Sequence, residues 1–246
     1  MELYGIIGKP LGHSFSRKYF TEFFERTGRD ASYEPFELSD IAEFPALIAA
    51  HPNLVGLNVT LPYKQAVIPY LDALDATAAT IGAVNVIKVT HDEGITRLTG
   101  YNTDVIGFGR SIRPLLEPRH TEALILGTGG ASKAVDYGLK QFGIRTVFVS
   151  RTPQEGQLGY ADLTPDIISR YCLIVNATPL GTFPDTGRCA DIPYTSLDER
   201  HLCFDLVYNP EESLFLQKAR QQGATTKNGL EMLHLQADAA WEIWNS

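Results

Sequence analysis

A chain of 246 residues, 44% of them hydrophobic, can bury one large core or two modest ones. A formal charge of -8 with no Lys/Arg block argues against a nucleic-acid or anionic-membrane partner, and no apolar run reaches the ~18 residues of a membrane span. The N-terminus, Met1 to Gly5, lacks the charged and apolar regions of a secretory signal, so a cytoplasmic location is expected.

Strand and helix signals alternate along the chain. Leu3 to Ile7 reads as a strand, and Phe15, Tyr19, Phe20, Phe23 and Phe24 recur at helical spacing until Gly28, a stripe that suits a core. Tyr33 to Leu38 is a predicted strand, Ile41 to Ala50 a helix, Leu54 to Thr60 a strand and Gln65 to Leu74 a helix. Val84 to Val89 and Ile95 to Leu98 flank a turn containing Gly94 and read as a hairpin. Val105 to Leu116 is helical until Pro118 and serves as the connector to a second domain. There, Ala123 to Leu126 is a strand, Ala134 to Phe142 a helix and Thr146 to Val149 a strand; further strands run from Leu173 to Val175 and from Leu202 to Val207, with a helix from Ser213 to Gln222. The turn Asn228-Gly229 returns the chain to the first domain through a last helix whose Leu230, Leu233, Ala237, Trp241 and Trp244 share a face, with Gln236 offset beside it. Cys172, Cys189 and Cys203 lack C-x-x-C spacing and the six histidines lack ligand spacing, so neither a disulfide framework nor a metal site is expected.

Two constellations in the first half suggest chemistry. In N-V-T-L-P-Y-K, Asn58 to Lys64, a β-type run ends at Pro62, which cannot donate to a ladder, so Thr60 and Lys64 fall where a strand stops and a helix begins. Ligands bind at such strand ends in open α/β sheets, and a lysine there can hold or give up a proton. A solvated lysine in a first helical turn would leave the same sequence. G-Y-N-T-D, Gly100 to Asp104, also closes a strand and opens a helix; Asp104 suits an N-cap as well as it suits a partner for a lysine in acid-base work.

The second half carries a cofactor signature. Gly127-Thr128-Gly129-Gly130-Ala131-Ser132 follows a short apolar strand and precedes a helix, so its backbone N–H groups can meet a pyrophosphate that the helix N-terminus favours. Ser132 stands where the last glycine of G-x-G-x-x-G would be, and a purely structural tight turn is the other reading. At the end of the next strand, Ser150-Arg151-Thr152 offers a guanidinium and two hydroxyls where an NAD site would place an acidic residue, which favours NADP. Asn176 to Gly181, with Thr178, forms a strand-end loop placed where a nicotinamide could lie.

Taken in order, these segments resemble the shikimate dehydrogenase family nearly end to end. The resemblance implies a two-domain α/β fold: an N-terminal α/β substrate domain over residues 1–104, completed by 229–246, and a Rossmann-like, doubly wound NADP-binding domain over 105–228. G-K-P-L-G-H-S-F-S, Gly8 to Ser16, implies that Ser14 and Ser16 hold a substrate carboxylate. Lys64 is implied as the catalytic lysine, Asp104 as its partner, and Thr60, Asn85, Tyr208 and Gln236 as substrate contacts. G-T-G-G-A-S and S-R-T resemble the family's NADP turn, with Gly127, Gly129, Gly130 and Ala131, and its adenosine-phosphate clasp, with Ser150, Arg151 and Thr152. The implied activity is reversible NADPH-dependent reduction of 3-dehydroshikimate to shikimate, in aromatic amino acid biosynthesis, by a monomer or homodimer. Three positions depart from the family pattern: Arg17 for proline, Ser150 for asparagine and Glu231 for glycine. The alternatives are quinate or aminoshikimate dehydrogenase on the same scaffold, a methylenetetrahydrofolate dehydrogenase, which the S-F-S and N-T-D motifs disfavour, and a noncatalytic NADP-binding sensor.

Overall fold

The computed structural model describes residues 1–12, 15–92 and 94–246, which form two compact units, one of Met1–Thr103 with Ala237–Ser246 and one of Asp104–Gln236. In the first unit the elements run β1 (Glu2–Gly8), α1 (Phe15–Thr27), β2 (Ala31–Glu37), α2 (Phe44–Ala50), β3 (Leu54–Val59), α3 (Tyr63–Ala66), β4 (Ala73–Leu74), α4 (Ala76–Ile81), β5 (Val86–Asp92) and β6 (Ile95–Tyr101). The second contains α5 (Asp104–Ile112), β7 (Glu122–Leu126), α6 (Gly130–Gln141), β8 (Arg145–Ser150), β9 (Leu158–Gly159), α7 (Pro165–Arg170), β10 (Leu173–Asn176), β11 (Leu202–Asp205), α8 (Leu214–Gln221) and β12 (Thr225–Lys227). Helix α9 (Leu230–Trp244) begins in the second unit and ends in the first.

The first sheet has the order β2-β1-β3-β5-β6-β4. Strands β1, β2 and β3 are parallel, whereas β5 is antiparallel to both β3 and β6. Alternation along β1 feeds two cores: Leu3 and Ile7 pack with Leu57, Val59 and Ile87 on one face, and Tyr4 and Ile6 pack with Phe20, Phe24 and Trp244 on the other. The aromatic stripe of α1 is core, as its spacing suggests.

The second sheet is parallel throughout, in the order β12-β11-β10-β7-β8-β9. Counted from β7, this is the 3-2-1-4-5-6 order of a doubly wound dinucleotide fold, and the winding reverses between β7 and β10. Leu124, Leu126 and Ile174 face one core with α8, while Ala123, Ile125 and Val175 face the other with α5 and α6.

Two sequence expectations change. The helix predicted over Gln65 to Leu74 is a single turn, α3, followed by a 3-10 turn at Ile68–Tyr70 and then by β4. Pro69 lacks the N–H that would bond Gln65, and the chain pairs instead with β6, where the Asp72 carboxylate accepts from the Leu98 N–H at 2.7 Å. The single apolar stripe on α9 is also revised: Leu230 is exposed, Met232 joins a core of the second unit, and Ala237, Ala240 and Trp244 join a core of the first. A helix that serves two cores need not keep one face.

Trp244 is buried against Tyr4 and Phe20, and its indole N–H donates to the Ile87 carbonyl at 3.0 Å. Trp244→Ala is expected to cost about 3–5 kcal/mol in urea unfolding, and a loss under about 1 kcal/mol would contradict this packing role.

Candidate active site

In the first unit, strand directions gather the candidate residues at one edge. The carboxyl ends of β1 and β3 lie side by side because the strands are parallel, and the start of antiparallel β5 joins them, with Asn58 opposite Val86. Thr60 follows β3, its N–H donating to the Ile7 carbonyl at 2.9 Å, and its methyl packs on Gly8 so closely that a side chain there would meet it at 2.3 Å. Lys64, half-buried, lies in α3, and its carbonyl accepts from the Val84 N–H at 2.7 Å, one residue before Asn85. Ser16, buried in the first turn of α1, donates to the Tyr33 phenol. Tyr33 in turn donates to Asn58 Oδ1 at 2.6 Å, and burial pushes its pKa well up, which keeps that donor proton in place.

Asn85 is held by its surroundings. Its N–H donates to the Tyr101 carbonyl at 3.0 Å, its carbonyl accepts from Val59 N–H at 2.8 Å, and its side chain bonds Thr103 through Nδ2 to Oγ1 at 3.0 Å and Oδ1 from N–H at 2.6 Å. The residue after Thr103 is Asp104, buried, the first residue of α5, where the helix dipole favours its carboxylate. Gly107, one turn later, leaves no room for a side chain: a Cβ would come 2.4 Å from the Met232 carbonyl and 3.0 Å from Gln236 Cβ. This close approach brings the buried Gln236 on α9 against α5.

In the second unit the glycine turn sits at the switch point. Gly127 follows β7 with φ of +106°, a conformation other residues rarely adopt, and faces Thr178 Cγ2 and Ser132 Oγ. The helix expected from Ala134 starts four residues earlier, so Gly130, Ala131 and Ser132 form its first turn and their N–H groups point into the loop. A side chain at Gly129 would meet nothing, and buried Ser132 Oγ has no hydrogen-bond partner. That open cradle with an orphaned donor fits a dinucleotide phosphate. Ser150 ends β8, its oxygen accepting from the Thr152 N–H at 3.2 Å, while Arg151 and Thr152 are exposed.

The family model described as shikimate dehydrogenase substrate binding domain matches residues 6–87, a span that includes Ser16, Thr60, Lys64 and Asn85. A shikimate dehydrogenase (NADP(+)) of Desulforamulus reducens is 35% identical, over 98% of this chain and 88% of the relative. The chain belongs to the shikimate dehydrogenase family. Among solved structures, the Thermus thermophilus shikimate 5-dehydrogenase in complex with NADP(H) and shikimate has a TM-score of 0.85 at 31% identity, covering 99% of this chain and 93% of that one. The quinate dehydrogenase of Corynebacterium glutamicum in complex with NAD has the same TM-score and coverage at 29% identity.

Two of the positions at which this chain departs from the family pattern are accommodated at the surface. Arg17 is exposed on α1, and Glu231 forms an ion pair with Lys227. Ser14 lies outside the described residues. Among those residues, no group of three or more His, Cys, Asp or Glu is placed to hold a metal ion, and no helix is long and apolar enough to cross a membrane.

Sequence reasoning gave no role of their own to Tyr33, Asn58, Thr103, Asn176 and Asp205, polar residues within or just after strands, although Asn58, Thr103 and Asn176 lie in motifs it singled out. Asp205 is fully buried at the end of β11; burial raises its carboxyl, hydrogen bonds from Ser213, the Val207 N–H and Asn176 offset part of that rise, and the net value is about 6. Above pH 6 the folded protein must hold a buried charge that the unfolded chain exposes to water. Stability relative to an Asp205→Asn variant should therefore fall by roughly 3 kcal/mol as pH rises from about 4 to about 6 and then level off. Parallel urea-unfolding curves across that range would contradict it.

Proposed function

We propose that this chain catalyses reversible hydride transfer between NADPH and the ring ketone of 3-dehydroshikimate, giving shikimate. The observation that carries the proposal is the gathering of Thr60, Lys64 and Asn85 at one edge of the first sheet, with Ser16 linked to Asn58 of β3 through the Tyr33 phenol. That edge offers hydroxyls, an amide and an ammonium suited to a small polyhydroxylated carboxylic acid. NADPH, when bound, supplies the hydride. As charge develops on the former carbonyl oxygen, the Lys64 ammonium stabilises it and delivers the proton, which completes the alcohol. Asp104 orients the reacting hydroxyl and the lysine. Ser14 and Ser16 bind the carboxylate, while Thr60, Asn85, Tyr208 and Gln236 fix the ring.

For the cofactor, the N–H groups of Gly127, Gly129, Gly130 and Ala131 take the pyrophosphate and Thr178 borders the nicotinamide. Arg151, flanked by Ser150 and Thr152, takes the adenosine 2′-phosphate. No acidic residue stands at the end of β8 to hold a free 2′-hydroxyl, which favours NADP. Residues 1–104 with 229–246 serve as the substrate domain and 105–228 as the cofactor domain. The same reading carries a cytoplasmic location and a monomer or homodimer.

Lys64→Ala is expected to lower turnover at least ~100-fold with little change in NADPH affinity, as measured by steady-state kinetics and direct titration. Near-normal turnover would remove Lys64 from the chemistry. Arg151→Ala is expected to weaken NADPH much more than NADH, and equal weakening would remove the phosphate clasp.

A further inference from the structure

Asp205 is a fully buried carboxylate whose hydrogen-bond donors, Asn176 Nδ2 at 2.9 Å, the Val207 N–H at 3.0 Å and the Ser213 hydroxyl, are all neutral. A charge placed this way is costly where packing alone would serve. Its chemistry explains what it does. A carboxylate only accepts hydrogen bonds, so Asn176 must turn its NH₂ toward Asp205 and its oxygen outward. That oxygen accepts from both the N–H and the hydroxyl of Thr178, at 3.1 and 2.6 Å, which leaves the Thr178 hydroxyl oxygen to accept from the Leu180 N–H at 3.3 Å. With both polar hydrogens of Thr178 engaged, its methyl faces Gly127, 3.1 Å from where a side chain there would begin.

We propose that Asp205 is a positioning residue for the cofactor: by orienting the Asn176 amide it locks Thr178 against the glycine turn, and so sets how tightly NADP(H) is held. The proposal rests on the cofactor reading above. It makes Asp205 and Asn176 determinants of cofactor affinity although neither is proposed to touch the cofactor.

The test is direct titration of NADP⁺ into the purified full chain, wild type and variants. Asp205→Ala and Asn176→Ala are each expected to raise the Kd about tenfold, the equivalent of one lost hydrogen bond. The double variant should bind no more weakly than either single one, because both interrupt one relay. Asp205→Asn, which can still offer Asn176 an acceptor, should restore most of the affinity, a rescue that a general loss of stability would not produce. If Asp205→Ala does not fold, Asn176→Ala carries the test alone. Wild-type affinity in Asn176→Ala, or losses that multiply in the double variant, would overturn the proposal while leaving the cofactor reading intact. A wild-type protein that does not bind NADP⁺ would overturn both.

Discussion

Strand direction is the constraint on which the rest depends. In each unit, neighbouring parallel strands bring their carboxyl ends to a common edge, and after β3 and β7 the chain leaves that edge through a short turn into a helix. Thr60 and Lys64 stand beyond β3, Gly127 to Ala131 beyond β7, and Thr178 beyond β10. In the first unit the antiparallel pair β5-β6 reverses twice, so the start of β5 and the end of β6 return to the same edge, with Val86 opposite Tyr101. Asn85 and Thr103 arrive there for that reason. Hydrophobic alternation buries the strands, and burial fixes the register that delivers the polar residues.

Buried polar groups then set the geometry at the edge. Tyr33, Asn58, Asn85 and Thr103 lie out of solvent and are hydrogen-bonded to one another or to backbone, which makes their rotamers unusually determined. Asp205 and Asn176 play the corresponding part in the second unit. Ser132, beside the glycine turn, differs from these in being a buried hydroxyl with no hydrogen-bond partner.

Much of this was legible in the sequence because strong signals and physical causes coincide. Continuous apolar runs such as Leu124 to Leu126 read as strands since both sheet faces are covered, and N-V-T-L-P-Y-K read as a strand end since Pro62 interrupts the ladder. Other features were hidden. The start of α6 looked like loop, because glycines at Gly129 and Gly130 mask a helix that buries Ser132 in its first turn and Ala134 just after it. Pro69 and the pairing of Ala73 and Leu74 with β6 overrode an apparent helix, a tertiary effect that local periodicity cannot report. Asp205 and Tyr33 gave no signal because a buried polar residue in a strand looks like one that faces water until its partners are placed.

The central claim is that one polyhydroxylated acid and one phosphorylated dinucleotide react on this chain. Its most direct test is an initial-rate assay of the purified protein with shikimate, quinate and a buffer blank, each offered with NADP⁺ and with NAD⁺, followed by absorbance of the reduced cofactor. The account predicts fast reduction of NADP⁺ with shikimate, and far slower reaction in every other pairing. Preferential turnover of quinate with NAD⁺, or no turnover of shikimate by protein that binds NADP⁺, would contradict it.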